Sequence, residues 1–143
     1  MTTLGCFEKV SIPALHVADV LAKVDTGAFS GAIHCTDVKV VRRGLLRKRY
    51  LKFTPLGNAK LATETDKFVK TYVRSATGHR QKRYIIDTEI LVKGQAYPIR
   101  IGISDRTDLK MPVLLGRRFL RENGMQVDVR INQEYDDEGE QTR

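Results

Sequence analysis

Two separated segments carry residue types that can do chemistry. Ala22-Lys23-Val24-Asp25-Thr26-Gly27-Ala28 is an apolar run ending in Asp-Thr-Gly, and Met111-Pro112-Val113-Leu114-Leu115-Gly116-Arg117 is a second apolar run ending in glycine. The first sets a carboxylate on a tight turn with a hydroxyl beside it, and Gly27 lets a second chain approach closely. Such a carboxylate suits a reaction in which two acids about 3 Å apart cannot both ionise. One keeps a proton, the other takes a proton from a water between them, and the activated water attacks a peptide carbonyl. The Thr26 hydroxyl can hydrogen-bond main chain across the turn and hold the two carboxylates coplanar. That matters because a misplaced acid and base lose most of their rate advantage. No second Asp-Thr-Gly or Asp-Ser-Gly occurs in the 143 residues. A dyad therefore takes two copies of Asp25 across a two-fold axis, or a monomer assists its one Asp25 with a different residue.

Asp-Thr-Gly alone is a common turn or helix cap; its order relative to the second segment is what distinguishes it here. Asp25-Thr26-Gly27-Ala28 with Val113-Leu114-Leu115-Gly116-Arg117 resembles the retropepsin signature, in which the second segment packs beneath the active-site turn and leads into a short helix. Phe119-Leu120-Arg121-Glu122-Asn123-Gly124 reads as that helix with its glycine stop. Leu4-Gly5-Cys6-Phe7-Glu8-Lys9-Val10, the stretch from Lys23 to His34, Arg74-Ser75-Ala76-Thr77-Gly78-His79 and Leu114-Leu115-Gly116-Arg117 extend the likeness over nearly the whole chain. Together they are similar to the bacterial retropepsin-like family historically labelled "ATP-dependent zinc protease". The resemblance implies a mostly β, retropepsin-like acid protease barrel with one short helix near the C-terminus. It implies an aspartic endopeptidase active as a homodimer, with Asp25, Thr26 and Gly27 catalytic and Ala28 at the substrate. Members are often encoded beside ATP-grasp ligases that add glutamate tails to proteins, which implies an acidic or glutamate-rich peptide substrate. The family usually has serine where Gly31 stands, so no side chain acts there, and Asp25 is unaffected. Arg117 falls where retropepsins carry a structural or dimer-contacting polar residue, although Arg117 and Arg118 also read as a solvated pair after a buried strand.

The bulk composition sets bounds. A chain of 143 residues, 41% hydrophobic, is long enough for one soluble domain with a real core. Aromatic residues make up 7% and tryptophan is absent, so that core is expected to be aliphatic. No run approaches a membrane span, and Met-Thr-Thr-Leu-Gly lacks a signal segment, so the expected location is the cytoplasm. There Cys6 and Cys35 are expected to stay reduced as small apolar residues. The chain holds 25 Lys and Arg against 17 Asp and Glu, a net +8. Five of the acids but one arginine fall in residues 134–143, leaving 24 bases and 12 acids in residues 1–133. The expected organisation is thus a basic domain over 1–133 and an acidic, disordered tail over 134–143. A basic body attracts an anionic partner, whether acidic peptide or nucleic acid.

The elements that must position Asp25 follow from alternation and breakers. Phe7-Glu8-Lys9-Val10-Ser11-Ile12 alternates and ends at Pro13. Residues 20–24 feed the Asp25 turn, 32–41 form a longer strand, Arg42-Arg43-Gly44 breaks it, and 47–53 form a heavily basic strand. Residues 56–66 show no period and read as a loop. Strands over 68–73 and 83–92 flank Ala76-Thr77-Gly78-His79 as a hairpin, and 95–103 return after Lys93-Gly94.

By position that hairpin is the flap that retropepsins close over a bound peptide. It carries Arg74, His79, Arg80, Lys82 and Arg83. Guanidinium groups bind carboxylates in bidentate fashion, so Arg74, His79, Arg80 and Arg83 are expected to bind an acidic substrate; an exposed hairpin kept basic for solubility is the simpler alternative. His34, His79, Cys35 and Asp25 lack the spacing of a zinc site, and no phosphate-binding loop is present, so neither metal nor cofactor is expected. A lone histidine on a strand such as His34 reads as a hydrogen-bonded structural residue. A different class of function remains open: a non-catalytic basic module that binds RNA or an acidic protein through residues 47–52 and the hairpin. No aromatic-rich RNA-recognition segment supports it.

Overall fold

Branched aliphatic residues at alternate positions build most of this chain as strand. The computed structural model describes residues 1–74, 77–105 and 111–136, with the side chains of 73 and 74 outside that description. In chain order the strands are β1 (Thr3–Leu4), β2 (Phe7–Ile12), β3 (Val17–Asp25), β4 (Gly31–Arg43), β5 (Lys48–Pro55), β6 (Thr63–Thr65), β7 (Val69–Arg74), β8 (Arg80–Val92), β9 (Gln95–Ser104), β10 (Val113–Gly116) and β11 (Gln126–Val127). One helix, α1 (Arg117–Glu122), lies between β10 and β11. As expected, β2 stops at Pro13, whose ring has no N–H to give a ladder.

Six strands close on themselves. β10 runs parallel to β3, β3 pairs with β2, β2 with β8, β8 with β9, β9 runs parallel to β4, and β4 returns antiparallel to β10 through Val113 opposite Ile33 and Leu114 opposite Ala32. The ring is the expected acid-protease barrel. Its interior is aliphatic: Ile33, Leu51, Ile90, Ile101, Val113 and Leu115 are fully buried, joined by Phe53. Cys35 is buried among them, and burial pushes its thiol up to about 12. Both cysteines are free.

The structure adds what periodicity does not reveal. Residues 56–66 are not simply a loop: they contain a 3-10 turn at Ala59–Leu61 and β6, which pairs Thr63, Glu64 and Thr65 with Phe53, Lys52 and Leu51. Three residues are too few to show alternation; the open edge of β5 selects them. β1 and β11 form a parallel pair of two residues each, Thr3 opposite Gln126 and Leu4 opposite Val127. The helix starts at Arg117 rather than Phe119, so Arg117 and Arg118 are its first turn. It ends as Gly124 predicts: at φ 61, with Gly124 N donating to Arg121 O and Met125 N to Leu120 O. Gln133–Tyr135 forms a 3-10 turn whose Tyr135 ring meets Phe7 edge-on at 6.4 Å, and residues 137–143 of the expected tail lie outside the described residues. Among the described residues no helix is long and apolar enough to cross a membrane.

Closure depends on how near β4 comes to β10. A Cβ built on Gly31 would stand 2.6 Å from the Leu114 carbonyl oxygen, so a serine there requires the two backbones to part. Gly31→Ala is therefore expected to cost about 1–3 kcal/mol of unfolding free energy, as overpacking does. Urea titration followed by circular dichroism reads that loss, and an unchanged midpoint would show that the barrel seam yields freely.

Candidate active site

β10 lies between β3 and β4. Val113 faces Ala22 on one side and Ile33 on the other, and at its end Gly116 is opposite Asp25. The chain thus runs up one edge of β10, turns around its end through residues 26–30, and comes down the other edge. Asp25 stands where the turn begins. The turn is closed by Ala28 N donating to Asp25 O at 3.2 Å, and the carboxylate is oriented by Gly27 N donating to Asp25 Oδ1 at 2.9 Å.

The first helical residues hold the turn from the other side. Arg117 N donates to Ala28 O at 2.8 Å and Arg118 N to Phe29 O at 3.1 Å, so donors that a helix start leaves unpaired are satisfied by the turn's own carbonyls. Gly116 is bare because a Cβ there would fall 2.6 Å from Phe29 O and 2.8 Å from the Ser30 carbonyl carbon. The Arg117 side chain adds a third tie, Nη1 donating to Gly27 O at 3.0 Å. The Arg117 and Arg118 guanidinium carbons lie 5.5 and 5.9 Å from the Phe29 ring centre, and that ring remains 48% exposed. Thr26 and Gly27 are exposed, Asp25 and Ala28 half-buried, and the Thr26 hydroxyl makes no hydrogen bond among the described residues.

The expected flap is a two-stranded ribbon. β7 and β8 pair from Val69 opposite Ile85 to Arg74 opposite Arg80, whereas β8 meets β9 only from Tyr84 onward among the described residues. Residues 80–83 therefore project beyond the barrel with β7 as their partner. Alternation puts Lys70, Tyr72, Arg80, Lys82 and Tyr84 on one face. The Arg80 guanidinium carbon sits 4.5 Å from the Tyr72 ring centre, Lys70 Nζ 5.9 Å from the same ring, and Lys82 Nζ 5.5 Å from that of Tyr84. That face continues the buried one that carries Tyr84, Ile86 and Ile90 into the barrel.

The residues that the sequence singled out fall into distinct places. Asp25, Thr26, Gly27 and Ala28 form one turn, and Arg80 and His79 belong to the ribbon, His79 exposed at its turn. Arg83 alternates to the opposite face, with its Cδ 3.5 Å from where a Gly102 Cβ would be. The Arg74 backbone pairs with Arg80, but its side chain lies outside the described residues, as do residues 75 and 76. Among the described residues His34, expected to be hydrogen-bonded, bonds only through its main chain, N donating to Pro112 O and O accepting from Leu56 N, and its buried Nδ1 has no partner. Among those residues no three His, Cys, Asp or Glu gather closely enough to hold a metal ion. Sequence reasoning missed Phe29, Lys70 and Tyr72, and placed Lys82 on the hairpin without its tyrosine partner. The i to i+2 spacing of Lys70 and Tyr72, and of Lys82 and Tyr84, was the available signal.

Comparison with known proteins agrees with this arrangement. The family model for RimB-like proteins, described as retropepsin-like aspartic endopeptidase RimB, matches residues 3–136. Similar curated proteins are named probable alpha-L-glutamate ligase. One from Shewanella halifaxensis is 26% identical over 146 residues, covering 92% of this chain and 32% of the relative. One from Shewanella pealeana is 27% identical over 120 residues, covering 82% and 26%. The chain thus spans about a third or less of the length of these relatives. The crystal structure of a protein of unknown function from Legionella pneumophila shares the fold at a TM-score of 0.65, with 22% identity over 91% of this chain and 94% of the other.

Arg117 holds the turn without touching the carboxylate. Arg117→Gln removes one hydrogen bond and one cation–ring contact, so its stability loss is expected to stay within about 2.5 kcal/mol. The freed turn is expected to lower kcat for peptide hydrolysis more than it raises KM, which steady-state kinetics beside a thermal melt will separate. Unchanged kcat would remove Arg117 from the positioning of Asp25.

Proposed function

Because the chain belongs to the RimB-like family of retropepsin-like aspartic endopeptidases, we propose that it cleaves acidic, glutamate-rich peptides with two Asp25 carboxylates brought together in a symmetric homodimer. The observation that carries this reading is the turn wrapped around the end of β10: it holds Asp25 by main-chain bonds and leaves Thr26 and Phe29 exposed for a second copy to cover.

In the dimer one Asp25 is protonated and the other ionised, since two like charges at contact distance cannot both persist. The ionised carboxylate takes a proton from the water between them as the water oxygen bonds to the peptide carbonyl carbon. The protonated one gives its proton to the carbonyl oxygen, producing a tetrahedral diol. The C–N bond then breaks, the amine leaves with a proton from one carboxyl, and the other recovers the proton of the collapsing hydroxyl. Thr26 from each copy bonds main chain across the axis and keeps the carboxylates coplanar. The projecting ribbon covers the bound peptide and excludes water.

Two independent observations favour acidic substrates. The ribbon face that continues the barrel interior presents Lys70, Arg80 and Lys82, held upright against Tyr72 and Tyr84. The relatives that contain a similar region are named probable alpha-L-glutamate ligases, which supports glutamate as the residue handled.

Asp25→Asn is expected to abolish hydrolysis while the far-ultraviolet spectrum and melting temperature stay near those of the parent chain, because the amide is nearly isosteric. EDTA is expected to leave the parent rate unchanged. Wild-type turnover in the purified Asn variant would sink the two-carboxylate reaction, and an active monomer in ultracentrifugation at assay concentration would sink the dimer. A parent chain that binds RNA or an acidic protein without hydrolysing any peptide would favour the non-catalytic module instead.

Arg80→Gln and Lys82→Gln are each expected to raise KM for glutamate-rich peptides by up to about tenfold, with little change for neutral peptides. Raising salt is expected to mimic the effect. Equal cleavage of acidic and neutral peptides at both ionic strengths would detach the basic ribbon from substrate choice.

A further inference from the structure

The hairpin joining β4 to β5 takes no part in the site described above. Its end reads Arg42-Arg43-Gly44-Leu45-Leu46-Arg47-Lys48-Arg49, and Leu45 and Leu46 are 102% and 94% exposed. Turn positions ordinarily carry glycine, asparagine or aspartate, and two adjacent leucines that touch nothing do no work for the fold. Their presentation is nevertheless fixed. Arg47 N donates to Gly44 O at 3.1 Å, with Gly44 at φ 78 and Arg47 at φ 55. The hairpin is braced below by the Arg43–Glu64 ion pair and by Lys48 Nζ at 2.7 Å from Asp66. Arg49 stacks on Phe68, and Arg42 and Arg47 have no acidic partner among the described residues.

We propose that this hairpin attaches the protein reversibly to an anionic lipid bilayer, with Leu45 and Leu46 entering the acyl boundary and Arg42 and Arg47 meeting the headgroup phosphates. The order along the hairpin, an apolar apex followed by a collar of cations, matches the order of a bilayer interface from its interior outward. The apex is a convex wedge of two side chains, not a flat apolar patch of the kind a protein interface buries. Nucleic acid would use the cations and leave the leucines without a partner. The net charge of +8 adds long-range attraction to an anionic surface.

The test uses the full chain and vesicles of phosphatidylcholine, either alone or mixed with phosphatidylglycerol. Binding is expected to the mixed vesicles only, weakening as salt rises. Leu45→Ser with Leu46→Ser is expected to reduce partitioning about tenfold or more, with peptidase activity in solution and melting temperature unchanged. Arg42→Gln with Arg47→Gln is expected to weaken binding and flatten its salt dependence. Because the chain has no tryptophan, Leu46→Trp supplies a single reporter, whose emission is expected to shift to the blue and be quenched by brominated lipid. Absence of binding to mixed vesicles, or binding that the serine pair leaves intact, would overturn the proposal. So would a serine pair that alters sedimentation without altering partitioning, which would give the apex to a second copy of the chain.

Discussion

The close passage of the Asp25 turn around the end of β10 is the constraint on which the rest of the structure depends. Gly116 allows the Phe29 and Ser30 backbone to come within the space a Cβ would fill. That approach lets Arg117 N and Arg118 N reach the Ala28 and Phe29 carbonyls, so the turn caps the helix and the helix fixes the turn. The same passage puts β3 and β4 on opposite edges of β10, which closes the barrel. One backbone contact therefore determines where the carboxylate stands, where the helix starts and how the sheet ends meet. A side chain at 116 would disturb all three together, which is why the apolar-apolar-Gly segment matters as much as Asp-Thr-Gly.

The excess of positive charge is organised unevenly over this frame. Arg43 with Glu64, Lys48 with Asp66, Arg100 with Asp87 and Arg118 with Glu122 are exposed ion pairs, screened by solvent and salt and of little weight in stability. On the ribbon the cations are instead laid against tyrosine rings. Stacking restricts a long side chain without neutralising it, so Lys70, Arg80 and Lys82 keep their charge available to a carboxylate while losing some of the freedom that binding would otherwise have to remove.

What was legible in the sequence was local or strongly ordered along the chain. Pro13 ends β2 because proline cannot donate, Gly124 ends the helix because φ is positive there, and Asp-Thr-Gly followed by Leu-Leu-Gly signals the barrel that six paired strands form. What was not legible depends on register. Arg80 and Arg83 are separated onto opposite faces because β8 begins at Arg80 rather than at residue 83, an extension that pairing with β7 sets and that no alternation in residues 80–83 announces. β6 and the β1–β11 pair are too short for alternation to show, and form because a neighbouring strand offers them an edge. Phe29 gave no signal at all: an aromatic after Asp-Thr-Gly-Ala acquires meaning only when the helix start brings Arg117 and Arg118 to its ring.

The two projections of the barrel, the ribbon and the β4–β5 hairpin, share a base. Arg49 on β5 lies 5.5 Å from the Phe68 ring centre, and Phe68 meets Tyr84 edge-on at 5.9 Å where β8 leaves the barrel. Tyr84 in turn carries Lys82 of the ribbon at 5.5 Å. A swing of the ribbon about Tyr84 therefore works against an aromatic pair worth about 0.5–1.5 kcal/mol and against the cation stacked on its far side. The base of the ribbon is thus held by a contact of only a few times the thermal energy. The same contact runs into the strand that supports the leucine apex, so Arg49, Phe68 and Tyr84 form one packed base beneath both projections.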